Sequence, residues 1–171
     1  MFRSVPYIVL FVVAVLSQVF IFDNLLVGVS VAPMVYIIVI ALLPLELKRI
    51  TLLGAGVLLG VVMDAVMGTG GLNSIATIFV AYMRPPIVRL LIGQERAIER
   101  GVPSEITFGA GSFLRYLVVF IAIHHLVFFL FEALSLHFVL FTTIRFLLST
   151  LVSILFVWLI SHFISINNFL K

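Results

Sequence analysis

The 171 residues are 64% apolar and only 10% charged, with a mean hydropathy of +1.37. An ordinary soluble domain is about 45–50% apolar and about 25% charged, so a water-soluble fold of this length has too little interior to bury the excess. The net charge of +3 is small, no nucleic-acid partner is expected, and the absence of cysteine excludes disulfides, thiolate metal sites and a cysteine nucleophile.

A helix crossing a hydrocarbon core about 30 Å thick needs about 20 residues. Six stretches qualify, which predicts an all-α integral membrane protein, a single domain over residues 1–171 built as a bundle of six transmembrane helices. The first, about 5–22, follows Arg3 and lacks a small-x-small cleavage site, so it reads as a retained helix and not a signal peptide. The second, about 29–45, has Pro33 in its first turn and Pro44 in its last, where proline is tolerated. The third, about 52–67, is rich in glycine. The fourth, about 72–91, is expected to bend at Pro85 and Pro86 and to send Arg84 and Arg89 to the headgroups. The polar stretch 93–111 follows as a loop. The fifth span is about 114–134, and the sixth, about 137–164, is long enough to tilt.

With six spans, Arg3, Lys48, Arg49, Arg84, Arg89, Arg96, Arg100, Arg115 and Lys171 fall on one side, and the tenth, Arg145, sits inside the sixth span. Lys and Arg mark the cytoplasmic face. Both termini and the loop 93–111 are therefore expected in the cytoplasm, with the chain in the inner (cytoplasmic) membrane.

Few residues in the spans carry chemistry. Gly56, Gly60, Asp64 and Gly68 recur at four-residue spacing, which places them on one helix face. Small residues so arranged let helices approach closely in lipid, either within the bundle or against another protein. An ionised Asp64 within a span is costly unless paired. Arg145 enters from the opposite direction at a depth within one turn of Asp64, at about 1.5 Å per residue. The two are expected to form an intramembrane ion pair; in the alternative, Asp64 reaches the outer headgroups and Arg145 snorkels. His124 and His125 are adjacent, about 100° apart on a helix, where a metal pair needs i,i+4 spacing, so neutral hydrogen-bonded packing suits them better than a metal or a proton relay with Asp64. Glu132 and His137 are expected to be solvated. Gln18 is placed to hydrogen-bond across helices, and Asn73, Ser74 and Thr77 suit a helix start. No nucleophile motif, P-loop, dinucleotide fingerprint or metal cluster occurs, so no catalytic residue, metal site or cofactor is expected and the chain reads as a non-enzyme.

The order of Gln18, Phe22-Asp23-Asn24-Leu25, Val31-Ala32-Pro33, Leu43-Pro44-Leu45, Gly60, Asp64, Gly68, Gly70-Gly71-Leu72, Tyr82 and Arg84-Pro85 resembles the rod shape-determining protein MreD family. The resemblance covers about residues 17–90, and from Glu95 to Lys171 it rests mainly on hydropathy. It implies a non-catalytic membrane scaffold subunit of the bacterial cell-elongation machinery. The partner would be the single-pass protein MreC, and indirectly RodA, a class B penicillin-binding protein and MreB, in support of peptidoglycan synthesis. The family is also similar in fold to the substrate-binding subunits of energy-coupling-factor transporters. A solute-binding transporter subunit is accordingly the second hypothesis, and a proton-coupled carrier using Asp64 and His125 a third, which lacks any internal repeat.

Overall fold

In a computed structural model, the described residues are 5–24, 31–94, 101–133 and 139–166. Apolar runs become helices because lipid leaves a backbone no other way to satisfy its own polar groups. Helix α1 (Val5–Ser17) continues into a π-helical turn at Gln18–Phe22. A short helix α2 (Ile38–Ala41) follows, then α3 (Arg49–Met67) and α4 (Leu72–Ile92). A second short helix, α5 (Glu105–Phe108), precedes α6 (Ala110–Ala133) and α7 (Val139–Ile166). Among the described residues, five helices are long and apolar enough to cross a membrane: Val5–Phe22, α3, α4, α6 and Thr142–Ser165 within α7. Among the described residues the architecture is all-helical, that of a multi-pass membrane protein.

The second expected span, 29–45, is not one helix. Residues 25–30 lie outside the described residues; 31–35 carry no helix, and only the four residues of α2 are α-helical. Every residue from Pro33 to Leu43 is nevertheless buried, with Tyr36, Ile37, Ile40 and Ala41 fully so. This stretch threads the middle of the bundle. Pro33 lacks an N–H and biases Ala32 away from the helical region, and irregular backbone at membrane depth survives only when protein surrounds it.

Helices α3 and α4 form the tightest pair. A Cβ on Gly60 would lie 2.5 Å from Ser74 Cα and 3.1 Å from Ser74 N, and one on Gly56 would lie 3.0 Å from Ala81 Cβ. The small-residue face is thus filled by α4. Gly68 belongs to the turn: at φ +68° it ends α3 in the left-handed conformation, with its N–H donating to Asp64 O at 2.9 Å. Helix α4 runs through Pro85 and Pro86, which deprive the carbonyls of Ala81 and Tyr82 of their helical donors. Arg49 lies with its guanidinium 4.1 Å over the Tyr82 ring.

One end of the bundle carries the exposed cations Lys48, Arg49, Arg89 and Arg115, and also α5. The loop 93–111 is tied down there among its described residues. Phe108 is buried, Leu45 N–H donates to Gly101 O at 2.9 Å, and Glu105 meets His162 at 2.9 Å. The opposite end carries the α3–α4 turn, Asp23 and Glu132.

Candidate functional site

The polar side chains converge on the irregular middle segment, whose backbone is helical only over the four residues of α2 and so leaves groups on either side of it in need of other partners. Gln18 donates through Nε2 to Pro33 O at 2.8 Å and accepts through Oε1 from Val35 N–H at 2.8 Å and Tyr36 N–H at 3.3 Å. Ser149 and Ser153 of α7 accept from Ala32 N–H at 3.0 Å and Met34 N–H at 2.9 Å. At the cationic end Arg84 donates to the carbonyls of Ala41 and Pro44, each at 3.5 Å, and to that of Leu43. Its Nε–H reaches Tyr116 Oη at 3.2 Å, and that hydroxyl donates to Ala41 O at 2.9 Å. Side chains from α4, α6, α7 and the π-helical turn thus supply the bonds that a helix would have made internally.

Arg84 therefore does not reach the headgroups. It turns inward and is only 3% exposed. The carbonyls freed at the end of α2 are a ready set of acceptors, and among the described residues no carboxylate lies within ion-pair distance of it. Arg89, five residues later, is exposed.

Asp64 and Arg145 do not form the expected pair; each has its own partners. The Asp64 carboxylate accepts the N–H of Asn73 and of Ser74, both at 2.9 Å, the Thr69 hydroxyl at 2.5 Å and the Ser74 hydroxyl. These two N–H groups belong to the first turn of α4, whose N-cap Gly71 has no side chain to offer. Asp64 takes the capping role from the preceding helix, where the positive end of α4 favours a carboxylate. Arg145 instead pairs with Glu132 at 3.0 Å, and its guanidinium lies 5.4 Å from the Phe129 ring centroid. Glu132, expected to be solvated, is thus engaged and largely buried, with a side chain 20% exposed. Matching depth did not bring Asp64 and Arg145 together because a better acceptor sat on the α6–α7 hairpin and better donors sat at the α3–α4 turn. His137 lies outside the described residues.

His124 and His125 are fully buried and serve different neighbours. His124 Nε2 is 3.1 Å from Tyr36 Oη and 3.4 Å from Thr77 Oγ1. Tyr36 Oη donates to Asn73 Oδ1 at 2.8 Å, and Asn73 Nδ2 donates to Thr69 Oγ1 at 2.6 Å. His125 bridges Ile121 O through Nδ1 at 3.0 Å and Ser153 Oγ through Nε2 at 3.1 Å. Among the described residues no group of three or more His, Asp or Glu is placed to hold a metal ion.

Near the α3–α4 turn lies a cleft of about 200 Å³, lined by Gln18, Phe22, Asp23, residues 31–34, Met67, Thr69, Phe128, Glu132 and Arg145. It brings Gln18, Arg145 and the turn that Asp64 organises to one region. Gly56 and Gly60 are elsewhere, between α3 and α4. The sequence reading missed Tyr36, Tyr116, Ser149 and Ser153. One signal was available: Ser149, Ser153 and Ser161, all buried, recur at four- and eight-residue spacing on one face of α7.

Comparison with protein-family models finds no match, and comparisons with curated proteins and with solved structures find none either.

Proposed function

We propose that this chain is a non-catalytic membrane scaffold subunit of the bacterial cell-elongation machinery that binds MreC and, through it, supports RodA and a class B penicillin-binding protein in peptidoglycan synthesis alongside MreB. In this reading the irregular segment 31–45 is a sixth crossing. The lysines and arginines other than Arg145 then belong to the cytoplasmic side of the inner membrane, with both termini.

The observation that carries the proposal is where the resembling residues spend their polar groups. Gln18, Asp64 and Arg84, the polar residues around which the MreD-like wording of residues 17–90 is arranged, all bond to the chain itself. Residues used in this way specify a shape, as a docking subunit requires. A partner contact through Gly56 and Gly60 is disfavoured because α4 already fills that face. Of the two candidate docking surfaces, the α3 stripe and the loop 93–111, the loop is the one we favour.

Gentle detergent extraction of the tagged chain from its native membrane, with mass spectrometry of co-purifying proteins, tests the reading. Recovery of a single-pass protein with a periplasmic coiled coil, together with wall synthases, is expected. Charge reversal at Arg96 and Arg100 at normal membrane level should reduce that recovery if the loop docks. The second reading, a solute-binding subunit of an energy-coupling-factor transporter, is favoured by the cleft beside Arg145 and Glu132. Recovery of paired ATPases with a transmembrane coupling subunit would replace the first reading with it.

A further inference from the structure

The hydrogen bonds between Asp64 and His124 form an unbroken series: Asp64, Thr69, Asn73, Tyr36, His124. Each link constrains the next. Both carboxylate oxygens of Asp64 accept a backbone N–H at the start of α4, a setting that favours the charged form, which only accepts. The Thr69 hydroxyl then spends its one hydrogen on Asp64 and must accept from Asn73. Asn73 is thereby oriented with Nδ2 toward Thr69 and Oδ1 toward Tyr36. The Tyr36 hydroxyl donates to that oxygen, so its own oxygen is left to accept. The neighbouring His124 nitrogen, Nε2, must carry the hydrogen.

We propose that Asp64 fixes the tautomer of His124 through this one-way relay, so that the α3–α4 turn and the middle of the bundle are one hydrogen-bonded unit. An independent observation agrees. His124 Nδ1 is buried with no partner among the described residues, and a bare lone pair is better tolerated there than an orphaned N–H, whose full desolvation would go uncompensated. His125 takes the opposite tautomer, because Ile121 O can only accept from Nδ1, leaving Nε2 to accept from the Ser153 hydroxyl. Thr69 also lines the cleft. A polar group that enters the cleft and claims the Thr69 hydroxyl therefore frees Asn73 to turn over, and the change is read at His124. This relay holds whichever partner the chain serves.

Nitrogen-15 NMR of histidine-labelled protein in lipid, assigned by single His→Gln replacements, tests the proposal. In the unaltered chain, His124 is expected as the Nε2–H form and His125 as the Nδ1–H form. Thr69→Val, which removes the relaying hydroxyl and leaves the Asp64 cap, should bring up an Nδ1–H population at His124 while His125 stays unchanged. Tyr36→Phe should do the same. An Nδ1–H or doubly protonated His124 in the unaltered chain would overturn the relay. So would a His124 signature that neither Thr69→Val nor Tyr36→Phe moves.

Discussion

Ser74 meets the Asp64 carboxylate twice, through its backbone N–H at 2.9 Å and through its hydroxyl. A residue that read as a buried charge seeking a cation is a helix cap. Asp64→Ala removes the cap and should lower stability by about 1–2 kcal/mol, seen as an earlier thermal transition in detergent. Asp64→Asn should lose part of this, because an amide nitrogen replaces one acceptor facing a fixed N–H.

The separate partners of Asp64 and Arg145 predict how their variants combine. Arg145→Gln should couple strongly to Glu132→Gln, since the two share a 3.0 Å ion pair in a largely buried setting. With Asp64→Asn it should be closer to additive, within about 0.5 kcal/mol, because the two share no hydrogen-bond partner. Double-mutant cycles on unfolding midpoints decide this. A larger coupling to Asp64 than to Glu132 would restore the direct ion pair.

Three glycines of α3 separate close packing from helix propensity. Gly60→Ala forces a methyl against the Ser74 backbone at 2.5 Å, and backbone cannot swing aside as a side chain can. It should cost about 1–3 kcal/mol or more. Gly56→Ala meets Ala81 Cβ at 3.0 Å and should cost less. Gly54→Ala meets nothing within 4 Å and should be neutral, or stabilising by up to about 1 kcal/mol. Equal effects at Gly54 and Gly60 would contradict the α3–α4 interface.

Hydropathy located α1, α3, α4, α6 and α7 within a few residues because a lipid-facing helix must be apolar along its whole length. The same measure misread 29–45. A segment buried in the centre of a bundle is as apolar as a lipid-facing helix, and hydropathy does not register backbone conformation. The clues were Pro33 and Pro44, which read as harmless at helix ends, and the polar residues on neighbouring helices. Gln18, Ser149, Ser153 and Arg84 make sense only once a segment with unsatisfied backbone stands among them. Depth arithmetic brought Asp64 and Arg145 level, but sequence spacing does not give the rotation of one helix relative to another, and rotation chose their partners. The Asp64 cap was half legible: Asn73 and Ser74 were recognised as a helix start, but their acceptor lay nine and ten residues back.

Gln18 and Arg84 hold opposite ends of the irregular segment, and removing either should loosen its own end first. Gln18→Leu keeps the volume but strands Pro33 O and the N–H groups of Val35 and Tyr36. Each orphaned group costs about 1–3 kcal/mol where water is excluded, and relaxation of the segment recovers part of the sum. Hydrogen exchange should show faster exchange at Val35 and Tyr36 while the amides in the middle of α3 and α6 stay protected. Arg84→Met should release the carbonyls of Ala41 and Leu43, with the Tyr116 hydroxyl still donating to Ala41 O. Arg84→Lys should recover only part of the loss, because one ammonium on a flexible stem does not reproduce a planar fork that reaches three carbonyls and a hydroxyl together. Full recovery with lysine would mean that the positive charge, and not the geometry of the guanidinium, holds this end.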